Sequence, residues 1–234
     1  MKSSETGKAY EIVIEYIKKR ILDGSLKQGD KLPPERDLAE FLGVSRNSVR
    51  EAIRSLEVIG IITSTQGAGN SISCNFEKSL FEAMSMMFLM KKIDYSQLGE
   101  LRAGLEQQAI SLAANRITDE QILKLENIIE KFSVSKDETE NVILDKKLHY
   151  TIAEASGNQL ILEILQVLSN VMDIFISDLR RQILRSDKGK NYLQNAHEQM
   201  VICLKNKDRQ GACEAMTEHF DLINQNMIEN KFIR

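Results

Sequence analysis

The stretch from residue 31 to residue 60, KLPPERDLAEFLGVSRNSVREAIRSLEVIG, limits the possible folds of this chain more than any other. It contains two short helical patterns with a tight break between them. Pro33 and Pro34, the only two prolines, stand where the first helix would begin, and there the missing N–H of proline has no partner to lose. We expect Gly43 to end this helix in a left-handed conformation and Ser45 to cap the next one.

In the second helical pattern, apolar residues recur at the spacing of a buried helix face. The opposite face carries basic and amide side chains, namely Arg46, Asn47, Arg50 and Arg54. This pattern is typical of a helix-turn-helix, whose second helix, called here the recognition helix, presents such side chains to base edges in the major groove of DNA. The alternative is a protein-interaction module with a solvated arginine face.

The residues on either side of this motif complete a small domain. An amphipathic helix is predicted over residues 6–22, and it would pack beneath the recognition helix. After the recognition helix, residues 61–65 predict a short strand and residues 71–74 the returning strand, with a turn between them. A hairpin in this position would form a wing.

Residues 10–74 resemble the winged-helix domain of the GntR family of bacterial transcription regulators. The matching positions are 32–39, 43–46, 49–52, Leu56, Gly60, Gly67 and Gly69. Ala68 departs from the family pattern, in which many members carry a basic residue between the two wing glycines. The resemblance implies double-stranded DNA as a partner. The main contacts would come from Arg36, Arg46 and Arg50, with Ser45, Asn47 and Gly67 at the backbone or groove edge.

The net charge of the chain, −3, is unusual for a DNA-binding protein. Residues 1–76, however, carry eleven Lys and Arg against ten Asp and Glu, so that the excess of acid lies in the remainder. Affinity for DNA depends on where the cations lie rather than on their total. The arginines of the helix-turn-helix would supply the basic surface.

From residue 80 onward the sequence predicts helices only. They are expected at about 80–91, 94–115 with Asp94 as cap, 118–132 with a Thr118–Gln121 capping box, 140–155, 159–184, 189–206 and 208–230. Six or seven helices without strands indicate an all-α bundle behind the winged helix. The predicted domains are residues 1–76, a connecting segment and first helix over 77–92, and an all-α domain over 93–234.

Other features of the sequence concern location and side-chain burial. No apolar run approaches the ~20 residues that a bilayer requires, and the N-terminus has no signal-type apolar core, so we expect a cytoplasmic protein without a membrane partner. The three cysteines fit neither a metal spacing nor a disulfide framework and are expected to be reduced and mostly buried. The methionine-rich residues 80–91 predict an interdomain or core helix, with a promiscuous binding surface as the alternative.

The three histidines of the chain, His149, His197 and His219, each lie within a predicted helix. Asp145 stands four residues before His149, which places a carboxylate and an imidazole on one helix face. Imidazole with one carboxylate suits Zn, Ni, Fe or Mn, and four protein ligands would leave positions open for water or a small ligand. The alternative is three core histidines that are hydrogen-bonded to their neighbours.

Residues 93–234 resemble the helical effector domain, often called FCD, of the FadR branch of GntR regulators. The matching pieces are Leu101-Arg102, Leu105-Glu106, Ala109, Asp145 to His149 and Ala155 to Asn158. Where the family commonly has Phe before the first histidine, this chain has Leu148. The resemblance implies a divalent transition metal ion, such as Zn or Ni, held by Asp145, His149, His197 and His219.

Arg102 is the candidate effector-binding residue. In the family pattern an arginine at this position points into the cavity and binds an effector carboxylate, for which the planar guanidinium is well matched. The alternative is a pair with Glu106, four residues on, along a solvated face. Asn158 is interpreted as a helix-boundary residue.

Together these features predict a homodimeric transcription regulator that reads a palindromic operator and is not an enzyme. A small carboxylate effector, for example a hydroxy acid or a sugar acid, would bind the metal and Arg102 and so control operator affinity. The metal histidines argue against an acyl-CoA effector, because the acyl-CoA-binding relatives lack that site. One alternative is a metal-dependent enzyme fused to a DNA-binding module. Another is a helical assembly module with a structural metal and no effector.

Overall fold

A computed structural model of the chain describes residues 3–91, 93, 95–185 and 187–229. The described residues form ten helices and one antiparallel pair of strands, so the mainly α fold class is confirmed. The chain divides into two compact units, Met1–Ala83 and Met84–Arg234. Among the helices of the described ranges, none combines the length and apolar character needed to cross a membrane.

The first unit is a winged helix-turn-helix. Its elements are α1 (Ser3–Leu22), α2 (Glu35–Leu42), α3 (Arg46–Ile59), β1 (Ile62–Thr65) and β2 (Gly69–Ile72). Apolar side chains of all five elements share one core, including Val13, Ile17, Leu38, Val49, Ile53, Leu56, Ile62 and Ile72. Helix α1 packs on α3, which confirms the predicted support of the recognition helix.

The break between α2 and α3 has the local chemistry that its sequence indicated. Gly43 adopts a left-handed conformation with φ of 66°, and the Oγ of Ser45 accepts a hydrogen bond from the backbone N–H of Ser48 at 3.0 Å. Pro34 occupies the N-cap, one position earlier than expected, so that α2 begins at Glu35. These two helix ends fix the angle at which α3 leaves α2.

The wing pairs residues 62–65 with residues 69–72, from Ile62 opposite Ile72 to Thr65 opposite Gly69. The returning strand was predicted at residues 71–74 and starts two residues earlier. The reason is that Gly69, at φ of 87°, lets the chain resume pairing directly after a three-residue loop. Lys31 adds an isolated bridge to Ser71, which ties the segment before α2 to the wing.

The second unit is helical. The remaining elements are α4 (Glu77–Lys91), which contains the boundary between the units, α5 (Tyr95–Arg116), α6 (Asp119–Val134), α7 (Glu138–Ala155), α8 (Gln159–Arg185), α9 (Asp187–Lys205) and α10 (Arg209–Glu229). Helix α5 packs on α7, α8 and α10, while α9 packs on α6 and α10. Helices α7, α9 and α10 thus all pack against α5.

Most helix ends follow local sequence signals. The capping box of Thr118 and Gln121 is present, as predicted. The Oδ1 of Asn158 accepts a hydrogen bond from the N–H of Ile161 at 3.3 Å, which confirms Asn158 as a helix-boundary residue. Residues 77–79, expected as a connection, already belong to α4. The cap assigned to Asp94 lies outside the described residues, and the domain boundaries at 76 and 92 stay predictions.

Two burial predictions are wrong. Met86, Met87 and Met90 are exposed, and in α4 Phe88 is the buried residue, so these methionines do not fill a core. The role of α4 as an interdomain helix stays a prediction. The run MSMMFLM has apolar residues on every face, so its periodicity could not identify the inward face. The three cysteines are free, but Cys74 is exposed and the others are half-buried. Cys74 lies two residues after Ile72, the last residue of β2.

Candidate metal centre and DNA-binding surface

Three helices of the second unit bring four potential ligands together. Helix α7 supplies Asp145 and His149, α9 supplies His197, and α10 supplies His219. One ligand atom from each of these residues lies within 4.8 Å of all the others. The centroid of the His219 ring is 4.8 Å from that of His149 and 4.8 Å from that of His197. The structure thus gathers all four residues that the sequence had assigned to the metal.

The cluster is buried in an apolar environment. The three histidines are 3%, 1% and 1% exposed, in chain order, and the Asp145 side chain is 13% exposed. Phe132 packs its ring edge to face against His197, with 5.5 Å between centroids. The Nε2 atoms of His197 and His149 lie 3.4 and 3.6 Å from Oδ1 of Asp145. The same carboxylate oxygen of Asp145 therefore faces two imidazoles.

The ring nitrogens of His197 and His219 form no hydrogen bond with any described residue. A buried polar atom without a partner costs about 1–3 kcal/mol, so four such atoms in one cluster require an explanation. The sequence also allowed core histidines that are hydrogen-bonded to their neighbours. Within the described part of the chain, His197 and His219 form no such bond. A metal ion would supply the missing partner, and the donor set, three imidazoles and a carboxylate, fits a divalent transition metal.

The electrostatics favour neutral imidazoles at two of the three positions. Burial, only partly offset by Asp145, lowers the pKa of His197 to about 4. Burial, together with the charges of His197 and His149, lowers the pKa of His219 well below its usual value. Burial also opposes the charged form of His149, but the carboxylates of Glu106 and Asp145 outweigh it, so that its pKa is raised. A neutral imidazole has a lone pair available for a metal.

Glu106 on α5 is a residue whose place in the site the sequence analysis missed. It is 2% exposed, and its Oε2 contacts Nδ1 of His149 while its Oε1 accepts a hydrogen bond from Nε of Arg102. Burial raises the pKa of Glu106, but the charges of Arg102 and His149 overcome this and bring it to about 2. The spacing of four residues from Arg102 indicated the ion pair, but no local signal indicated the contact with His149 on another helix.

Arg102 lies beside the cluster and not on a solvated face. It does pair with Glu106, but it is only 8% exposed, so the solvated alternative is wrong. Its Cζ lies 5.6 Å from the ring centroid of Phe220, the neighbour of His219 on α10. Burial lowers the pKa of Arg102, but the charges of Glu106 and Asp145 raise it by more. The pKa is therefore raised overall, and the guanidinium stays charged. Its role towards an effector stays a prediction.

The residues assigned to DNA contact lie on the outside of the first unit. Arg36, Arg46, Asn47 and Arg50 are all exposed. The Nε of Arg50 lies 3.4 Å from Oε2 of Glu35, and Nδ2 of Asn47 donates to Glu51 at 3.1 Å. Such exposed pairs contribute little stability and exchange readily for phosphate or base contacts. Gly67, with φ of 79°, forms part of the wing turn. Their contacts with DNA stay predictions.

Comparisons with known families agree with both units. Residues 9–72 match the family described as bacterial regulatory proteins, gntR family, and residues 97–222 match the FCD domain. The second match covers more than half of the chain. It includes Arg102, Glu106 and all four clustered ligands.

Relatives named as regulators match most of the chain. The chain is 31% identical to the HTH-type transcriptional regulator LutR of Bacillus subtilis (strain 168), over 85% of this chain and 92% of the relative. It is 26% identical to the Glc operon transcriptional activator of Escherichia coli (strain K12), over 93% and 88%. It is 28% identical to a putative L-lactate dehydrogenase operon regulatory protein of the same strain, over 92% and 84%.

A solved structure described as Streptococcus agalactiae GntR aligns with a TM-score of 0.68 and 26% identity, covering 92% of this chain and 99% of the other. The relatives described above are regulators of transcription, so the alternative of a metal-dependent enzyme is wrong. The chain belongs to the gntR family of bacterial regulatory proteins, carries an FCD domain, and is a DNA-binding transcription regulator.

Proposed function

We propose that this regulator responds to a small carboxylate effector, which binds at a divalent transition metal ion such as Zn or Ni held by Asp145, His149, His197 and His219. The observation that carries the proposal is the buried cluster itself. Its ligand atoms lie within 4.8 Å of one another, and the ring nitrogens of His197 and His219 form no hydrogen bond with a described residue. The bound metal would supply a Lewis acid with positions open to an effector carboxylate.

Arg102 would provide the second anchor for the effector. Its Nε donates a hydrogen bond to Glu106, and its terminal amino groups are the ones that would meet a carboxylate. The name of one relative refers to an L-lactate dehydrogenase operon, and L-lactate is a small hydroxy acid. A hydroxy acid has a hydroxyl next to its carboxylate, and this pair suits a metal with open positions. We therefore place hydroxy acids first among candidate effectors and sugar acids second.

The operator would be read by two copies of the chain in the cytoplasm. One exposed recognition helix offers Arg46, Asn47 and Arg50 to a single half-site, so a palindromic operator requires a homodimer with half-sites about 34 Å apart. The effector can control such a dimer only if it binds the DNA-competent and the DNA-incompetent arrangements with different affinity.

The proposal is tested by loading and stripping the metal. Purified protein would first be analysed for bound metal, with a His149→Ala, His219→Ala double variant as control. Calorimetric titration would then compare L-lactate with propionate, which lacks the hydroxyl, and with lactamide, which lacks the carboxylate. We expect near-stoichiometric metal in the wild type and little in the variant. We also expect L-lactate to bind only the metal-loaded protein, and both analogues to bind more weakly.

Two results would contradict the proposal in different ways. A double variant that keeps stoichiometric metal would remove the metal assignment. A metal-loaded wild type that binds no hydroxy acid or sugar acid would leave a structural metal without an effector. If L-lactate does bind, adding it to a complex of the protein with its operator would decide whether binding changes DNA affinity.

A further inference from the structure

We propose that Glu106 is a positioning residue for the metal centre. Its buried carboxylate holds the Nδ1 edge of His149, so that His149 offers Nε2 to the metal, and it keeps Arg102 beside the same site. This inference rests on the proposed metal site and assigns a role to a residue that is not a ligand. It explains why one carboxylate contacts both a candidate ligand and the candidate effector anchor.

The orientation of His149 follows from the two carboxylates at its two edges. Nδ1 contacts Oε2 of Glu106, which is 2% exposed on α5. Nε2 lies 3.6 Å from Oδ1 of Asp145, the atom that also lies 3.4 Å from Nε2 of His197. The Nε2 edge therefore faces the other ligands, and the Nδ1 edge faces away from them.

A histidine that binds a metal usually donates the N–H of its other nitrogen to a carboxylate or carbonyl, which fixes the tautomer and raises the basicity of the ligand. Glu106 is placed to accept that N–H from His149. The contact between Oε2 of Glu106 and Nδ1 of His149 joins two side chains that are each 3% exposed. The pair of Glu106 and His149 can therefore preset this ligand before metal arrives.

The same carboxylate also orients Arg102. Its second oxygen, Oε1, accepts from Nε of Arg102, and the guanidinium lies over the ring of Phe220, the residue after His219. This geometry engages the Nε edge of Arg102. Glu106 therefore links the candidate ligand His149 to the candidate effector anchor Arg102 through direct contacts with both.

The test uses the full-length protein with one isosteric substitution, at Glu106, and one that shortens the side chain, at Arg102. Zinc affinity would be measured without effector, by competition with a chelator of known affinity, for Glu106→Gln, for Arg102→Gln and for the double variant. We expect Glu106→Gln to lose zinc affinity by about 10- to 100-fold, the usual effect of removing such a partner. Arg102→Gln keeps the carboxylate at His149 and removes a cation beside the site, so it should not lower zinc affinity. The double variant, which has no unpaired buried charge, should resemble Glu106→Gln.

An NMR measurement tests the orientation directly. In the zinc-loaded wild type, imidazole ¹⁵N spectra should show His149 bound through Nε2, with a proton on Nδ1. Binding through Nδ1, or equal losses of zinc affinity in Glu106→Gln and Arg102→Gln, would overturn the role of Glu106. A wild type that binds no zinc, nickel or cobalt would instead refute the metal site itself, and this role with it. Far-UV circular dichroism of all variants checks that the helices remain.

Discussion

The two units of this regulator differ in where their candidate functional side chains lie. In the first unit these side chains are exposed, and in the second they are buried. In the first unit the residues assigned to DNA contact, such as Arg46 and Arg50, are exposed, and of its described buried residues all but Ser48 are apolar. In the second unit the candidate functional residues are the buried polar ones, including His149, Glu106 and Arg102. In the first unit the candidate binding residues are thus separate from the buried core. In the second unit the candidate binding residues are themselves buried in the core.

The difference follows from the size of what each unit would bind. DNA is large and stays outside, so cations that meet it keep their hydration until contact and cost little to the fold. A metal with a small anion needs a site from which water is excluded and whose groups are held in place before binding. Burying charge in this way carries a desolvation penalty that only good partners offset. Substitutions should therefore separate stability from function in the first unit and change both in the second.

The largest effect is expected for Arg102→Ala. The substitution would leave the carboxylate of Glu106 buried without its charged partner on α5, and breaking a buried pair in this way typically costs about 3–5 kcal/mol. Urea unfolding of the metal-free protein, monitored by circular dichroism, would measure the loss.

The matched control for that experiment replaces the whole pair, with Arg102→Met and Glu106→Leu together. Apolar residues of similar size often restore or exceed the stability of a buried ion pair. This double variant should therefore recover most of the free energy of unfolding and still bind no effector. Equal instability in the single and double variants would mean that the packing of α5, rather than the charge, is what the site requires.

Gly60 is a position in the first unit where we expect a substitution to change both stability and DNA binding, as in the second unit. It has φ of 93°, and a Cβ built on it would lie 2.0 Å from the carbonyl oxygen of Asn75. Gly43 has φ of 66° and no heavy atom within 4 Å of such a Cβ. We expect Gly43→Ala to cost about 1–2 kcal/mol for the left-handed backbone alone. Gly60→Ala should cost about 1–3 kcal/mol more, because backbone atoms must move.

Thermal unfolding of the two alanine variants measures this difference. If Gly60→Ala is no less stable than Gly43→Ala, the segment after β2 does not lie against the end of α3 as described. DNA binding by Gly60→Ala is a second measurement, since a displaced α3 would move the recognition helix.

The sequence was sufficient wherever the cause of a structure is local. Gly43, Ser45 and Thr118 each determine a helix end through their own backbone or hydroxyl chemistry, and each was predicted correctly. The four clustered ligands could be proposed because the spacing of Asp145 and His149 is local and the family resemblance supplied the other two.

Contacts between distant elements could not be predicted in this way. The link from Glu106 to His149 joins α5 to α7 and leaves no periodic signal in either helix. The exposed face of the methionine-rich α4 also escaped prediction, because every face of that helix is apolar in sequence. Such features depend on how helices pack against one another. The sequence pattern of a single helix does not contain this information.

A smaller effect, and one on function alone, is expected for Arg46→Ala. Arg46 is exposed near the start of the recognition helix, and losing one such contact typically costs about 1–3 kcal/mol of DNA affinity, or roughly 5- to 150-fold. Stability should change by no more than about 0.5 kcal/mol, as for most surface substitutions. Fluorescence anisotropy would use a DNA fragment that the wild type selects from a random pool.

Lys124→Ala is a suitable control for Arg46→Ala. Lys124 is an exposed cation of the second unit that pairs with Glu154, and it should affect neither DNA affinity nor stability. A loss of stability in Arg46→Ala comparable to its loss of DNA affinity would break the separation inferred for the first unit.

The smallest effect is expected for a substitution on the outer face of α5. It tests whether stability and zinc affinity change together at every position of the second unit or only at buried ones. Gly104 lies on α5 between Arg102 and Glu106, but it is exposed, and a Cβ built on it meets no atom within 4 Å. Gly104→Ala should stabilise the protein by about 0.5–1 kcal/mol, because alanine loses less backbone freedom in a helix. Zinc affinity should stay at the wild-type value. If zinc affinity falls although stability rises, the metal centre depends on the flexibility of α5 as well as on its inward side chains.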